Sequence, residues 1–227
     1  MDEALTRVSR ALREAGIFDL VFVGGATIGL YLSDPAAPQP RQTYDVDVVT
    51  SITTRNEYYQ LELRLREAGY RQPVDDPVIC RWLIGPDIVD IMPTSEQVLG
   101  FTNRWFDALH SNAVETILTT GEAIRVASPA YLLASKLEAY GSRMPRDIWM
   151  SKDLDDIVIL VDGRKELVSE MRVAHSPVRK FNATAIRDLL DDPMFHEALA
   201  GRLFPDQASQ ARASVIRARM ELLARLS

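Results

Sequence analysis

The segment "TYDVDVVTSI" sets Asp45 and Asp47 one residue apart inside a run that otherwise reads as a buried strand. Successive strand side chains face opposite sides, so residues i and i+2 share a face. Asp45 and Asp47 therefore point the same way, about 7 Å apart along the backbone. Tyr44, Val46 and Val48 point to the other face, toward a core. Two unpaired carboxylates on one side of a buried strand repel each other and lose hydration. A divalent cation removes both costs. Mg²⁺ takes hard carboxylate oxygens and fills its remaining positions with water and phosphate oxygens. A sheet edge with solvent-facing aspartates gives the same spacing without any ligand. A third carboxylate, Asp90, lies in "DIVDIM" between Val89 and Ile91. Three carboxylates on adjacent strands can bridge two metal ions, as phosphoryl and nucleotidyl transfer require. Asp87, beside the Gly85-Pro86 turn, reads as turn chemistry.

An anion site has its own candidates. In "VFVGGATIGLYL" an apolar run ends at Gly24-Gly25 and a short helix follows. Glycine lets backbone N–H groups approach a phosphate closely, and Thr27 adds a hydroxyl. A tight turn uses the same two glycines. The segment is neither a P-loop, which needs a downstream Gly-Lys-Ser/Thr, nor a G-x-G-x-x-G turn.

These residues must be positioned by the elements around them. Residues 2–15 carry Leu5, Val8, Ala11, Leu12 and Ala15 on one helical stripe ended by Gly16. "DLVFV" and "YDVDVVT" read as strands, separated by the proline-rich loop "SDPAAPQPRQ". "TRNEYYQLELRLREAGY" reads as a helix ended by Gly69. "VICRWLI" and "DIVDIM" form a hairpin about Gly85-Pro86, and "VETILTT" and "AIRVA" a strand pair about Gly121. From Ser128 the chain turns helical. "SPAYLLASKLEAYGSR" starts with a Ser cap and a Pro at its first turn, and helices follow at 152–161, 164–174, 183–191 and 206–225. The fold class is α+β (mixed α/β): a small mixed sheet flanked by helices over 1–127, then a helical region over 128–227.

Composition narrows the function classes. Hydrophobic residues make up 47% of 227, enough for a core. A net charge of −6 and pI of about 5.2 argue against a general nucleic-acid coat. One cysteine, Cys80, permits no internal disulfide and reads as core packing in a reducing cytoplasm. The N-terminus has no signal-peptide apolar region, and no run is long enough to span a bilayer. A soluble cytoplasmic protein is expected. The three histidines, His110, His175 and His196, show no metal spacing and read as surface or cap residues. Trp149 is the tryptophan expected to be exposed.

On the helix that begins near 129, Lys136 shares a stripe with Leu132 and Tyr140 rather than with the solvent face. A lysine there suits an anion, or snorkels past the core. On the next helix Leu154, Ile157, Val158 and Val161 form the apolar stripe. Asp153 borders it and also suits the helix N-terminus behind Ser151. Asp156, one turn on, reads as structural.

The order "FVGGATIGLYL…RQTYDVDVV", then Lys136, then Lys152-Asp153-Leu154-Asp155-Asp156, resembles the DNA polymerase β-like nucleotidyltransferase superfamily. More narrowly, it resembles the AbiEii/AbiGii-type toxins, which include MenT-like toxins. The motifs span about residues 20–162. The resemblance implies a Mg²⁺-dependent transfer of NMP from an NTP to an acceptor. It implies that Asp45 and Asp47 bind Mg²⁺, with Asp90 as third ligand and general base. Gly24, Gly25 and Thr27 hold the triphosphate, Lys136 neutralises phosphate charge, and Asp153 orients Lys136 or the acceptor. Arg41 matches a basic position of that family, and Arg143, Arg146 and Lys152 extend a positive rim. The implied acceptor is tRNA or another RNA, and the implied partner a cognate antitoxin. The proline-rich loop before Asp45 and the extra "SRMPRDIWM" depart from the family pattern. Two rival readings remain open: a small-molecule nucleotidyltransferase of the antibiotic-modifying kind, and a non-catalytic relative that binds nucleotide or a protein.

Overall fold

The computed structural model describes residues 1–143 and 147–226. Two compact units emerge. The first comprises Met1–Thr27 and Gln42–Ser128; the second comprises Ile28–Arg41 and the chain from Pro129 onward.

The first unit is built on a six-stranded mixed sheet in the order β3-β4-β2-β1-β6-β5. Its strands are β1 (Val21–Val23), β2 (Asp45–Thr50), β3 (Arg81–Ile84), β4 (Asp87–Pro93), β5 (Val114–Ile117) and β6 (Ala123–Val126). Helices α1 (Asp2–Glu14), α2 (Arg55–Glu67), α3 (Glu96–Leu99) and α4 (Phe106–Ser111) complete the unit. The two shortest, α3 and α4, carry too few residues to show a helical stripe in the sequence. The central pair, β2 and β4, runs parallel, with Val46 beside Val89, Asp47 beside Asp90 and Val48 beside Ile91. The alternation of the sequence is thus turned into two different faces. Val46, Val48, Val89, Ile91 and Trp82 are buried on one. The aspartates lie on the other. Tyr44 lies just before β2 and is exposed, so it does not join the core.

Leu5, Val8 and Leu12 of α1 are buried, as their spacing predicts. Arg7 of α1 makes a two-pronged pair with Asp87, at 2.9 and 2.7 Å. Asp87 is therefore a strand residue held by a helix rather than a turn former. Helix α2 begins with a reciprocal capping box between Thr54 and Glu57, and buries Tyr58, Leu61 and Leu65.

The second unit is helical: α5 (Pro129–Ser142), α6 (Lys152–Gly163), α7 (Leu167–Val173), α8 (Ser176–Asp191), α9 (Pro193–Gly201) and α10 (Gln207–Ala224). Helix α5 is apolar almost all round and packs against α6, α7 and α8. Helix α8 starts about two turns before the sequence reading, at Ser176-Pro177, a Ser-Pro start like that of α5. Helix α9 was not foreseen. Asp192 caps it by accepting from the Met194 N–H at 2.9 Å, with Pro193 in its first turn.

Residues 28–41 belong with these helices. The N–H groups of Ser33 and Asp34 both donate to the Gly163 carbonyl at 2.9 Å. A Cβ at Gly163 would lie 2.5 Å from the tip of the Leu32 side chain, which packs against the bare glycine backbone. Arg212 of α10 donates to Asp162 at 2.7 Å and to Asp34 at 3.1 Å, closing the attachment.

Candidate active site

Strand β2 presents Asp45 and Asp47 on one sheet face, and β4 places Asp90 directly beside Asp47. Asp45 is the more open, its side chain 39% exposed. Its Oδ1 accepts from the Thr43 hydroxyl at 2.7 Å. Asp47 of β2 pairs with Val23 at the end of β1, and its carboxylate lies against the backbone of Gly24. Gly24 has φ +76°, and a Cβ built there would stand 1.8 Å from Asp47 Oδ2. Glycine is thus required twice, by the left-handed backbone and by the carboxylate that fills the space of a side chain.

Gly25 opens a 3₁₀ helix, Gly25–Tyr31. Thr27 is fully buried, and its hydroxyl donates to the Gly24 carbonyl at 3.0 Å. That hydroxyl shapes the glycine turn.

Asp90 is engaged by a residue the sequence reading passed over. Arg81 of β3 donates to both its oxygens, Nε to Oδ1 at 2.8 Å and Nη2 to Oδ2 at 2.7 Å. The same guanidinium reaches Asp76 at 2.9 Å and Asp45 at 3.5 Å. The pairs with Asp90 and Asp76 push the Arg81 pKa further up, the hydrogen bond to Asp90 contributing most. The signal was available. Counting outward from the two-residue Gly85-Pro86 turn pairs Ile84 with Asp87, and hence Arg81 with Asp90. Among the described residues, no three His, Cys, Asp or Glu side chains gather closely enough to form a metal cage by themselves.

In the second unit, Lys136 of α5 meets α6. Its Nζ lies 2.7 Å from Asp156 and 3.4 Å from Asp153. Asp156, with a side chain 1% exposed, also accepts from Arg41 Nε and Nη2 at 3.1 and 3.2 Å. Asp153 pairs with Arg143 at 3.1 Å. Asp153 and Asp156 are three residues apart and so face the same way. Lys136 and Asp153 are therefore brought together, with Asp156 as the nearer partner of the lysine. Ser151 caps α6 through the Leu154 N–H at 3.2 Å. Asp155 looks elsewhere: it pairs with Arg202 at 2.9 Å, and burial raises its pKa. Lys152 is exposed. Arg146 lies outside the described residues.

Other candidates resolve simply. Cys80 is buried, and burial followed by the charge of Asp90 pushes its thiol up to about 12. His110 is buried with Nε2 2.9 Å from Asp19, so it is not a surface residue; His175 and His196 are exposed. Trp149 is exposed as expected. No described helix is long and apolar enough to cross a membrane.

Neither a protein-family model nor a curated protein matches the chain. Solved structures do. A nucleotidyltransferase-like antigenic protein from Paracoccidioides brasiliensis superposes with a TM-score of 0.53 at 21% identity, over 87% of this chain and 91% of that one. JHP933 from Helicobacter pylori gives 0.49 at 11% identity, over 98% and 89%. ANT(2'')-Ia, solved with adenylyl-2''-tobramycin, gives 0.48 at 14%, over 82% and 97%. The first of these likenesses carries the conclusion for the fold: the mixed sheet with its flanking helices is a nucleotidyltransferase-type fold.

Proposed function

We propose that the chain is a Mg²⁺-dependent nucleotidyltransferase, moving NMP from an NTP to an acceptor hydroxyl. One observation carries the reading. Asp45 and Asp47 share a sheet face, and the backbone at Gly24 is shaped so that the Asp47 carboxylate lies against it. A carboxylate placed by a left-handed glycine is a built feature, and hard oxygens suit a divalent cation. Such a cation is commonly held by one or two carboxylates, with substrate phosphates completing its shell. The donor set Asp45 and Asp47 fits that pattern. When bound, Mg²⁺ supplies charge stabilisation at the attacked α-phosphate and the leaving pyrophosphate.

The chain's own residues do the rest. Backbone N–H groups at Gly24 and Gly25 hold phosphate oxygens, with Thr27 fixing the turn from beneath. Asp90 takes the proton of the acceptor hydroxyl as its oxygen bonds to the α-phosphorus and the bond to the β-phosphate oxygen breaks. Asp90 is free for that role, or for metal ligation, only when Arg81 yields it. Lys136 is assigned to phosphate charge, with Asp153 as its orienting partner, on motif order alone.

The acceptor is proposed to be tRNA or another RNA, in a toxin restrained by an antitoxin protein. This finer reading rests on the Gly-Gly, D-x-D, Lys136, Lys152-Asp153 order of the sequence. The test is transfer of label from each α-³²P NTP with Mg²⁺ and total cellular RNA, comparing wild type with Asp47→Ala. Label on a tRNA-sized band, lost in the variant, supports the full reading. Label on small molecules from a cell extract keeps the transferase and replaces the acceptor. No label from any NTP on either acceptor class overturns the reading.

A further inference from the structure

A single cationic nitrogen is shared by two carboxylates on different strands. Arg81 Nη2 lies 2.7 Å from Asp90 Oδ2 and 3.5 Å from Asp45 Oδ2. Nε completes a fork on Asp90 at 2.8 Å, and Nη1 reaches Asp76 at 2.9 Å. The guanidinium cannot lose its charge in water, so it neutralises these groups for as long as it stays. The fork takes one lone pair on each oxygen of Asp90, so a metal ion approaching the remaining ones does so beside a fixed positive charge.

Asp76 differs from the other two. It is outside the sheet, on the segment between α2 and β3, and the Val78 N–H holds it at 2.9 Å. That backbone bond, and then Arg81, keep its carboxyl below the usual aspartate range. It is a fixed anion at the outer end of the arginine. A guanidinium released by Asp90 and Asp45 still has a charged partner there. A plain structural clamp on Asp90 needs no such second anchor.

We propose that Arg81 is a resident counter-ion that competes with the divalent cation for Asp90 and Asp45, and that Asp76 retains it when the metal enters. This rests on the nucleotidyltransferase reading of the Asp45 and Asp47 pair. Arg81 is then a positioning residue: it sets metal affinity and decides when Asp90 becomes available. Metal binding in the absence of nucleotide is weak because the site already contains a cation. Nucleotide phosphates add ligands and tip the exchange.

The test is Mn²⁺ titration of the full chain, followed by the electron paramagnetic resonance of the free ion, without nucleotide or acceptor. Arg81→Gln removes the competitor and is expected to tighten Mn²⁺ binding roughly 10- to 100-fold, the worth of a charged hydrogen-bonded fork. Asp76→Asn removes the outer anchor and is expected to weaken binding several-fold, because Arg81 then holds Asp90 and Asp45 more firmly. Arg81→Lys keeps the charge without the fork and tightens binding by a smaller factor; it serves where Arg81→Gln fails to fold.

Opposite shifts in the Arg81 and Asp76 variants support the inference, since a shared structural role moves both in one direction. Unchanged or weaker Mn²⁺ binding in both Arg81 variants overturns it, as does Mn²⁺ binding that survives Asp47→Ala. The labelled-transfer assay judges the parent reading separately. Transfer that requires Asp47, with a flat Mn²⁺ response to the Arg81 changes, sinks the competition and leaves the transferase.

Discussion

The sheet face of the first unit and the α5–α6 face of the second are both charge clusters, built on different numbers of the ion pairs described above and closed to different degrees. On the sheet Arg81 serves Asp45, Asp76 and Asp90 together. Between α5 and α6 three cations, Arg41, Lys136 and Arg143, serve Asp153 and Asp156. The clusters also differ in burial. Asp156 is almost wholly enclosed, whereas the side chain of Asp45 is 39% exposed. A closed ion pair chiefly holds helices in register, while an open carboxylate can exchange partners. The difference is one between single residues: Asp156 is enclosed by its partners, and Asp45 is open to a ligand.

The largest expected effect tests the sheet side of that contrast. Gly24→Ala puts a methyl where Asp47 Oδ2 now lies, 1.8 Å from the ideal Cβ position, and forces a left-handed alanine. Displacement of the carboxylate by an ångström is expected to cost about 10²-fold or more in transfer. The backbone costs a further 1–2 kcal/mol or so of stability. Gly29→Ala is the control, since its Cβ meets nothing nearer than Pro40 at 3.6 Å. Transfer rates and urea midpoints of the two variants measure this. Equal activity in both breaks the link between Gly24 and a working Asp47.

The enclosed cluster should respond in stability. Asp156→Ala removes the buried carboxylate shared by Lys136 and Arg41 and is expected to cost about 3 kcal/mol in urea unfolding. Asp153→Ala should cost less, because its Arg143 partner is mostly exposed and the Lys136 contact is long, at 3.4 Å. A larger loss at Asp153 than at Asp156 reverses the assignment of the closed pair.

Much of this was legible along the chain. The alternation of Asp45, Val46, Asp47 and Val48 identified both strand and face, because a strand has period two. The Gly85-Pro86 turn identified the hairpin, and its register already implied the Arg81 pairing with Asp90. Helix α9 was missed although Asp192-Pro193 carries a start signal and Phe195, Ala198 and Leu199 fall at i, i+3 and i+4; nine residues give the stripe a single repeat. What no local pattern could reveal is contact between distant segments. Arg212 bonds Asp34 across 178 positions, and Leu32 packs against the bare backbone of Gly163. The grouping of 28–41 with the helices follows from those contacts rather than from composition. Asp156 read as structural from spacing, but its hold on Lys136 depended on the docking of α5 against α6.

A smaller effect concerns acid. The Asp76 carboxyl is held below its ordinary value of 3.8 by the Val78 N–H and then by Arg81. A depressed carboxyl contributes stability that is complete above the unfolded value and fades as pH falls through the folded one. The Asp76 resonance should therefore titrate below pH 3.8 in a carboxyl-detected NMR experiment. Arg81→Gln should move it upward, and no movement would show that Val78 alone holds the group.

The smallest effect uses Cys80 as a reporter of the acidic face. Burial raises its thiol to about 12, with Asp90 the next cause and Asp47 a lesser one. At pH 8 the folded chain should therefore react very slowly with a disulfide reagent, and quickly once unfolded. Asp90→Asn removes one negative neighbour but leaves the burial, so the thiol should ionise at a somewhat lower pH and react only modestly faster. Asp45→Asn, at a residue that is not among the causes of the shift, should leave the rate alone. If Asp90→Asn changes nothing, burial accounts for the thiol, and Arg81 already cancels the Asp90 charge as Cys80 experiences it. If the rate rises, part of that carboxylate's field escapes the arginine and reaches the thiol, as expected of a sheet face whose aspartates share Arg81.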